Sequence, residues 1–183
     1  MADIYKLQED HGEYFSVSKA RTLMENASKD EDLQNHIKNM EKYDIFVCIT
    51  YIDDGYNAGT CKRRHVIVYD TNIPENVKGI LSRKSDCIGV VPITTSKTSA
   101  NTEYQNYKFP IINRRGANLK TNGKLYINLM RAYNSIFKNE KDFTVSRSEI
   151  IGYVGKLQIE DRNTIASNLF IWKQKKKRLE EQK

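Results

Sequence analysis

The side chains able to do chemistry in this chain are few and scattered. Its three histidines, His11, His36 and His65, stand far apart, which argues against a ribonuclease of the pancreatic kind, where two histidines share the acid and base work. Cys48, Cys61 and Cys87 form no CxxC pair and do not fall at zinc-ligand spacing with those histidines. An odd number of widely spaced cysteines predicts free thiols rather than a disulfide framework. Asp53 and Asp54 beside Gly55 could offer oxygens to a divalent ion, but a turn is the simpler meaning. No P-loop, GxGxxG, HExxH or GxSxG is present. The residues therefore predict neither a bound metal nor a cofactor.

What does recur is positive charge. Lys62, Arg63 and Arg64 lead into an apolar run, Arg114 and Arg115 open a basic loop, and Lys173–Arg178 ends the chain's last helical stretch. The net charge of +7 hides an asymmetry. Residues 1–42 hold six Lys/Arg against nine Asp/Glu, and residues 43–183 hold 24 against 14. An acidic head on a basic body suits a body that meets polyanions, because neutralising phosphates drives nucleic-acid affinity. The terminal run Lys173–Arg178 has a simpler role as a solvated helix end, where the dipole favours cations.

These groups need a scaffold, and the chain is long enough to supply one. Its 183 residues fit one domain of ordinary size, and 39% apolar residues suffice for a core. No run approaches the roughly 18–20 apolar residues needed to span a bilayer. Met1–Asp10 mixes charges and lacks an apolar core of the signal-peptide kind. The expectation is a soluble, cytoplasmic protein without membrane contact.

Apolar periodicity divides the chain in two. In residues 1–42, Ser16 or Ser18 caps a helix bearing Val17, Ala20, Leu23, Met24 and Ala27, and Asp30 to Asp32 opens a second with Leu33, His36, Ile37 and Met40 on one side. Two short amphipathic helices form no core alone, so their stripes must rest on the body or on a partner. From Tyr43 the pattern turns to β. Strands are expected at Tyr43–Ile52, Lys62–Tyr69, Asp86–Thr95, Glu103–Asn113 and Lys124–Tyr133, with a short one at Ile150–Leu157. A helix then runs from Glu160, with Ile165, Ala166, Leu169, Phe170 and Trp172 as its apolar side. Helices, short strands with turn-rich loops, and a terminal helix predict an α+β fold around a small, strongly bent barrel. The division is an acidic two-helix extension over 1–42 and a barrel domain with its C-terminal helix over 43–183.

The order of motifs in the body resembles the PemK/MazF toxin family. Tyr43–Tyr51 is similar to that family's opening strand. Arg64-His65-Val66-Ile67-Val68 resembles its Arg-Pro strand, and Val90-Val91-Pro92-Ile93-Thr94-Thr95 its Pro-Ile-Thr-Ser-like tetrad. Leu129-Met130-Arg131-Ala132-Tyr133 and Ile151–Leu157 resemble its later strands. His65 stands where the family usually has proline.

The resemblance implies an SH3-like β-barrel, a homodimer, and metal-independent endoribonuclease action on single-stranded RNA, restrained by a cognate antitoxin, a protein rather than an RNA. It implies catalytic roles for Arg64, Thr94 and Thr95, and RNA contacts from Lys62, Arg63, Ser96, Lys97, Arg114 and Arg115. The chemistry is coherent. RNA carries its own nucleophile, the 2′-hydroxyl, and an arginine fork with a threonine hydroxyl can hold the charged phosphorane. Side chains alternate along a strand, so His65 is expected to face away from Arg64. Tyr104 and Tyr107 are candidates for base stacking. Two other readings stay open: a ToxN-like toxin held by a structured RNA, and a barrel that binds nucleic acid or protein without catalysis.

Overall fold

The computed structural model describes residues 14–52, 58–73, 86–94, 111–113, 126–127, 132, 136–137 and 144–182. It is an α+β fold. Strands β1 (Tyr14–Phe15), β2 (Asp44–Ile52), β3 (Thr60–Asp70), β4 (Cys87–Thr94), β5 (Ile111–Asn113), β6 (Tyr126–Ile127), β7 (Val145–Ser146) and β8 (Ile150–Leu157) join in one antiparallel sheet. Its path runs β5-β8-β2-β3-β4-β6, with β1 attached to β3 and β7 to β4. Among the described residues that path stays open and does not close into a barrel.

The centre is the pairing of β2 with β3, which runs unbroken from Ile45↔Ile67 to Ile52↔Thr60. Both strands are rich in β-branched side chains, which pack well on a pleated surface. Ile45, Phe46, Val47, Cys48, Val66, Ile67 and Val68 are all essentially sealed from solvent. Burial on consecutive residues means that both faces of the sheet are covered here. Pro92 has no N–H to donate. It falls between the stretch of β4 paired with β7 and the stretch paired with β6, a gap where a missing donor costs little.

Both N-terminal helices form where the caps predict. In α1 (Val17–Ser28), Ser16 Oγ accepts the Lys19 N–H at 3.1 Å. In α2 (Glu31–Lys38), Asp30 Oδ1 accepts the Leu33 N–H at 3.1 Å. Their apolar stripes rest on the sheet: Ala20, Ala27, Leu33 and Ile37 belong to the same core as the strands. His36 stacks on Tyr153 with ring centroids 3.8 Å apart, and Tyr153 tilts against Phe46. That histidine is a packing residue, as its place on the stripe suggests.

The C-terminal helix α3 (Ile159–Glu181) buries Ile165, Leu169 and Trp172. Phe170, expected on that side, is 62% exposed. At about 100° per residue it cannot share a face with both Leu169 and Trp172. Arg162 anchors the helix start: its Nε donates to the Leu157 carbonyl at 2.7 Å and its guanidinium lies over Tyr43. Tyr43 holds a positive φ of 74°, locked by its N–H on the Val68 carbonyl at 2.7 Å and its carbonyl under the Leu157 N–H at 3.0 Å. The expected strand over Lys124–Tyr133 is shorter, since Ala132 is helical. The part of the expected strand before Ile111 lies outside the described residues. Three elements had no sequence signal: β1, β7, and the 3-10 turn Arg147–Glu149 that follows β7. Arg147 uses that turn to join distant segments, with Nη1 on Asp86 Oδ1 at 2.5 Å and Nη2 on the Thr71 carbonyl at 2.6 Å.

Gly89 shows how tightly β4 is packed. A Cβ there would stand 3.2 Å from Asp70 Cβ and 3.3 Å from carbons of both Ile136 and Ile73. With three neighbours to displace at once, Gly89→Ala is expected to destabilise the protein by about 1–3 kcal/mol. Chemical denaturation followed by circular dichroism measures this, as a lower midpoint with unchanged slope.

Candidate functional site

Three consecutive cations, Lys62, Arg63 and Arg64, open β3 and must alternate between the two faces of the sheet. The register shows how. Lys62 stands across from Thr50, Arg63 from Ile49, Arg64 from Cys48 and His65 from Val47. Lys62 and Arg64 thus share one face with Thr50, and Arg63 and His65 share the other. His65 is only 1% exposed, while Arg64 is half-buried. The expectation that the two face opposite ways is met, and His65 cannot assist Arg64 directly.

Arg64 is held in place by its neighbour strand. Its Nε donates to Thr50 Oγ1 at 3.1 Å, and that hydroxyl donates onward to the Lys62 carbonyl at 3.2 Å. The threonine accepts from the guanidinium because its own proton is committed to a backbone oxygen. Among the described residues, the two Nη nitrogens carry no hydrogen bond. They form the planar, two-pronged edge that matches a phosphate. Thr50 had no motif to mark it. A hydroxyl placed diagonally across the ladder from an arginine is visible only once the register is known.

Arg63 is arranged differently. Its guanidinium lies over the ring of Phe15, centroid distance 5.7 Å, and Lys19 Nζ lies over the same ring at 5.6 Å. Lys62 Nζ lies over Tyr14 at 5.6 Å. The structure therefore brings Lys62 and Arg64 together and sends Arg63 to the face of Phe15.

The tetrad strand comes alongside. β3 and β4 pair at Ile67↔Val91 and Val66↔Pro92. That ladder ends at Val66↔Pro92, and the last two residues of β4, Ile93 and Thr94, pair with Ile127 and Tyr126 of β6. Thr94 is described here by its backbone alone. Thr95, Ser96, Lys97, Arg114 and Arg115 lie outside the described residues, as do Tyr104 and Tyr107. No group of three or more His, Cys, Asp or Glu suited to a metal occurs among the described residues. No helix among them is long and apolar enough to cross a membrane.

No protein-family model, no curated protein and no solved structure matches this chain. The site therefore has to be argued from its own geometry.

Cys48, Cys61 and Cys87 are buried, and none of the three is in a disulfide. Burial, with the negative charge of Glu149 nearby, pushes the Cys61 thiol up from its ordinary value. A thiol whose folded pKa is raised stabilises the fold fully below its unfolded pKa, and that contribution is lost as pH rises through the folded value. Cys61 is expected to resist alkylation in the native protein at pH 8 and to label rapidly in denaturant, read by mass spectrometry over time. The stability difference between wild type and Cys61→Ala should shrink as pH rises above about 8.5, the ordinary range of a cysteine thiol.

Proposed function

We propose that this chain is a metal-independent endoribonuclease of the toxin kind, cleaving single-stranded RNA on a small SH3-like barrel. Its control would come from a cognate protein antitoxin, and its working form would be a homodimer in the cytoplasm. The observation that carries the reading is the orientation of Arg64 by Thr50 on β3, with β4, the strand that ends at Thr94, paired alongside as far as Val66↔Pro92. The two residues that the PemK/MazF resemblance marks lie 30 positions apart in sequence, on strands whose last pair, Val66↔Pro92, is two residues from each.

The chemistry asks little of the protein. The 2′-hydroxyl oxygen of one nucleotide attacks the adjacent phosphorus, its proton leaves, and the bond from phosphorus to the 5′ oxygen breaks. The products are a 2′,3′-cyclic phosphate and a 5′-hydroxyl that has taken up a proton. Charge builds on the equatorial oxygens of the phosphorane, where a two-pronged guanidinium acts most strongly. Thr50 keeps that guanidinium from rotating, so it is already aimed when the phosphate arrives. The Thr94 hydroxyl would add a neutral donor to the same group. Lys62, on the same face, would hold the strand electrostatically.

Purified protein and a long unstructured RNA test this. Cleavage should persist in excess EDTA. Arg64→Ala should lower turnover by about 10²–10³-fold, the usual cost of one preorganised donor. Arg64→Lys should rescue little, since an ammonium cannot copy the fork. Thr94→Ser should keep most of the activity that Thr94→Ala loses. Thr50→Val, which leaves Arg64 in place but unoriented, should reduce turnover less than Arg64→Ala while leaving binding nearly intact. Cleavage by Arg64→Ala at the wild-type rate, or full loss of activity on chelation, overturns the assignment.

A further inference from the structure

We propose that Tyr14 is a base-stacking residue that seats an unpaired RNA base beside the phosphate held at Arg64; this rests on the reading of Arg64 given above. The starting point is the placement of β1. β2 occupies one edge of β3 along its whole paired length, so β1 and β4 must share the other edge. β1 takes the beginning of that edge, with Tyr14 across from Lys62. β4 takes the later part of that edge, from Val66↔Pro92 onward, and Arg64 lies between, two residues along β3 from Lys62. Tyr14 is thus about 7 Å along the strand from the row of Arg64, two residues of strand rise.

The two rows crossing β1, β3 and β2 belong to opposite faces of the sheet. Phe15 and Cys61, in one row, are buried in the core, and Tyr51 at the β2 end of that row is 36% exposed. Tyr14, Lys62 and Thr50, in the next, stand on the opposite face, and Tyr14 is 39% exposed. This is the face that carries Arg64. An aromatic ring left open on the same face as Lys62 and Arg64, in a basic body, fits single-stranded nucleic acid better than a peptide or an apolar ligand. Lys62 lies over the Tyr14 ring and strengthens a stack on it through the ring's negative face. Bases stack on aromatic rings without strong sequence preference, because every base has a flat π-face. A base inside a duplex has no face to offer. Tyr14 therefore selects unpaired RNA and fixes the rotation of the strand about the phosphate gripped by Arg64.

The test separates this role from packing and from catalysis. A fluorescent RNA oligonucleotide with 2′-O-methyl groups throughout cannot be cut, because its nucleophile is blocked, and anisotropy then gives Kd directly. Tyr14→Ala should weaken binding by about 10-fold, a typical value for one stacked base. Tyr14→Trp should restore most of the affinity. The salt dependence of Tyr14→Ala should match wild type, whereas Lys62→Ala should reduce the slope by about 0.7, one phosphate contact on a single strand. With cleavable RNA, Tyr14→Ala should raise the half-saturating concentration and leave turnover at saturation near wild type. Unchanged Kd in Tyr14→Ala, or Tyr14→Trp binding no better than Tyr14→Ala, overturns the proposal. Wild type that binds the analogue but never cuts RNA, with Tyr14→Ala still weakened, removes the nuclease reading and keeps the stacking residue. Cleavage by wild type with Tyr14→Ala neutral does the reverse.

Discussion

The antiparallel register of β2 on β3 is the constraint on which the rest of the molecule depends. Eight consecutive residue pairs without a bulge leave no freedom in which side chain faces which way. A slip of one residue would put Lys62 and Arg64 where Arg63 and His65 now stand, and would exchange the environments of Phe46 and Val47. The apolar ends of both strands oppose such a slip, because Ile45, Ile67 and their neighbours are wholly buried. The burial that sets the register also aims the basic half of β3. Fold stability and site geometry are therefore one property, and Thr50 converts it into the orientation of a single guanidinium.

Around this ladder, the additions share the work of covering it. α1 and α2 bring Ala20, Ala27, Leu33 and Ile37 into the common core, and His36 and Tyr153 extend the contact by stacking. β8 pairs with β2 on the side away from β3, with two shifts of register that bend the sheet. Asp44, buried at the start of β2, is satisfied by the Glu41 N–H at 2.8 Å and lies near Lys156, which also pairs with Glu41. α3 closes over Tyr43 through Arg162. β1, α1 and α2 are thus built into the body, and β1 borders the basic start of β3 directly.

Much of the local structure was legible because it has local causes. The caps at Ser16 and Asp30 are satisfied within three residues, and the strands at β2, β3, β4 and β8 are dense in β-branched side chains. Elements without a local cause escaped. β1 is two residues long, far below what periodicity can register, and exists because β3 offers a free edge. Phe170 was placed on the buried side of its helix by composition, and rotation about the helix axis carries it to solvent.

The same division runs through the site. From the amino-acid sequence alone come the cations of β3, the Pro92-Ile93-Thr94-Thr95 motif, the alternation that parts Arg64 from His65, and cysteines outside any disulfide. Each depends on residue type and on neighbours along the chain. Only the tertiary structure decides that Thr50 holds Arg64, that Arg63 goes to Phe15, and that Tyr14 stands beside Lys62 on the edge of β3 that β4 also uses. Those contacts join residues 14 to 48 positions apart, and a contact across strands follows from register. Register is set by the burial of the whole sheet and not by any segment of it.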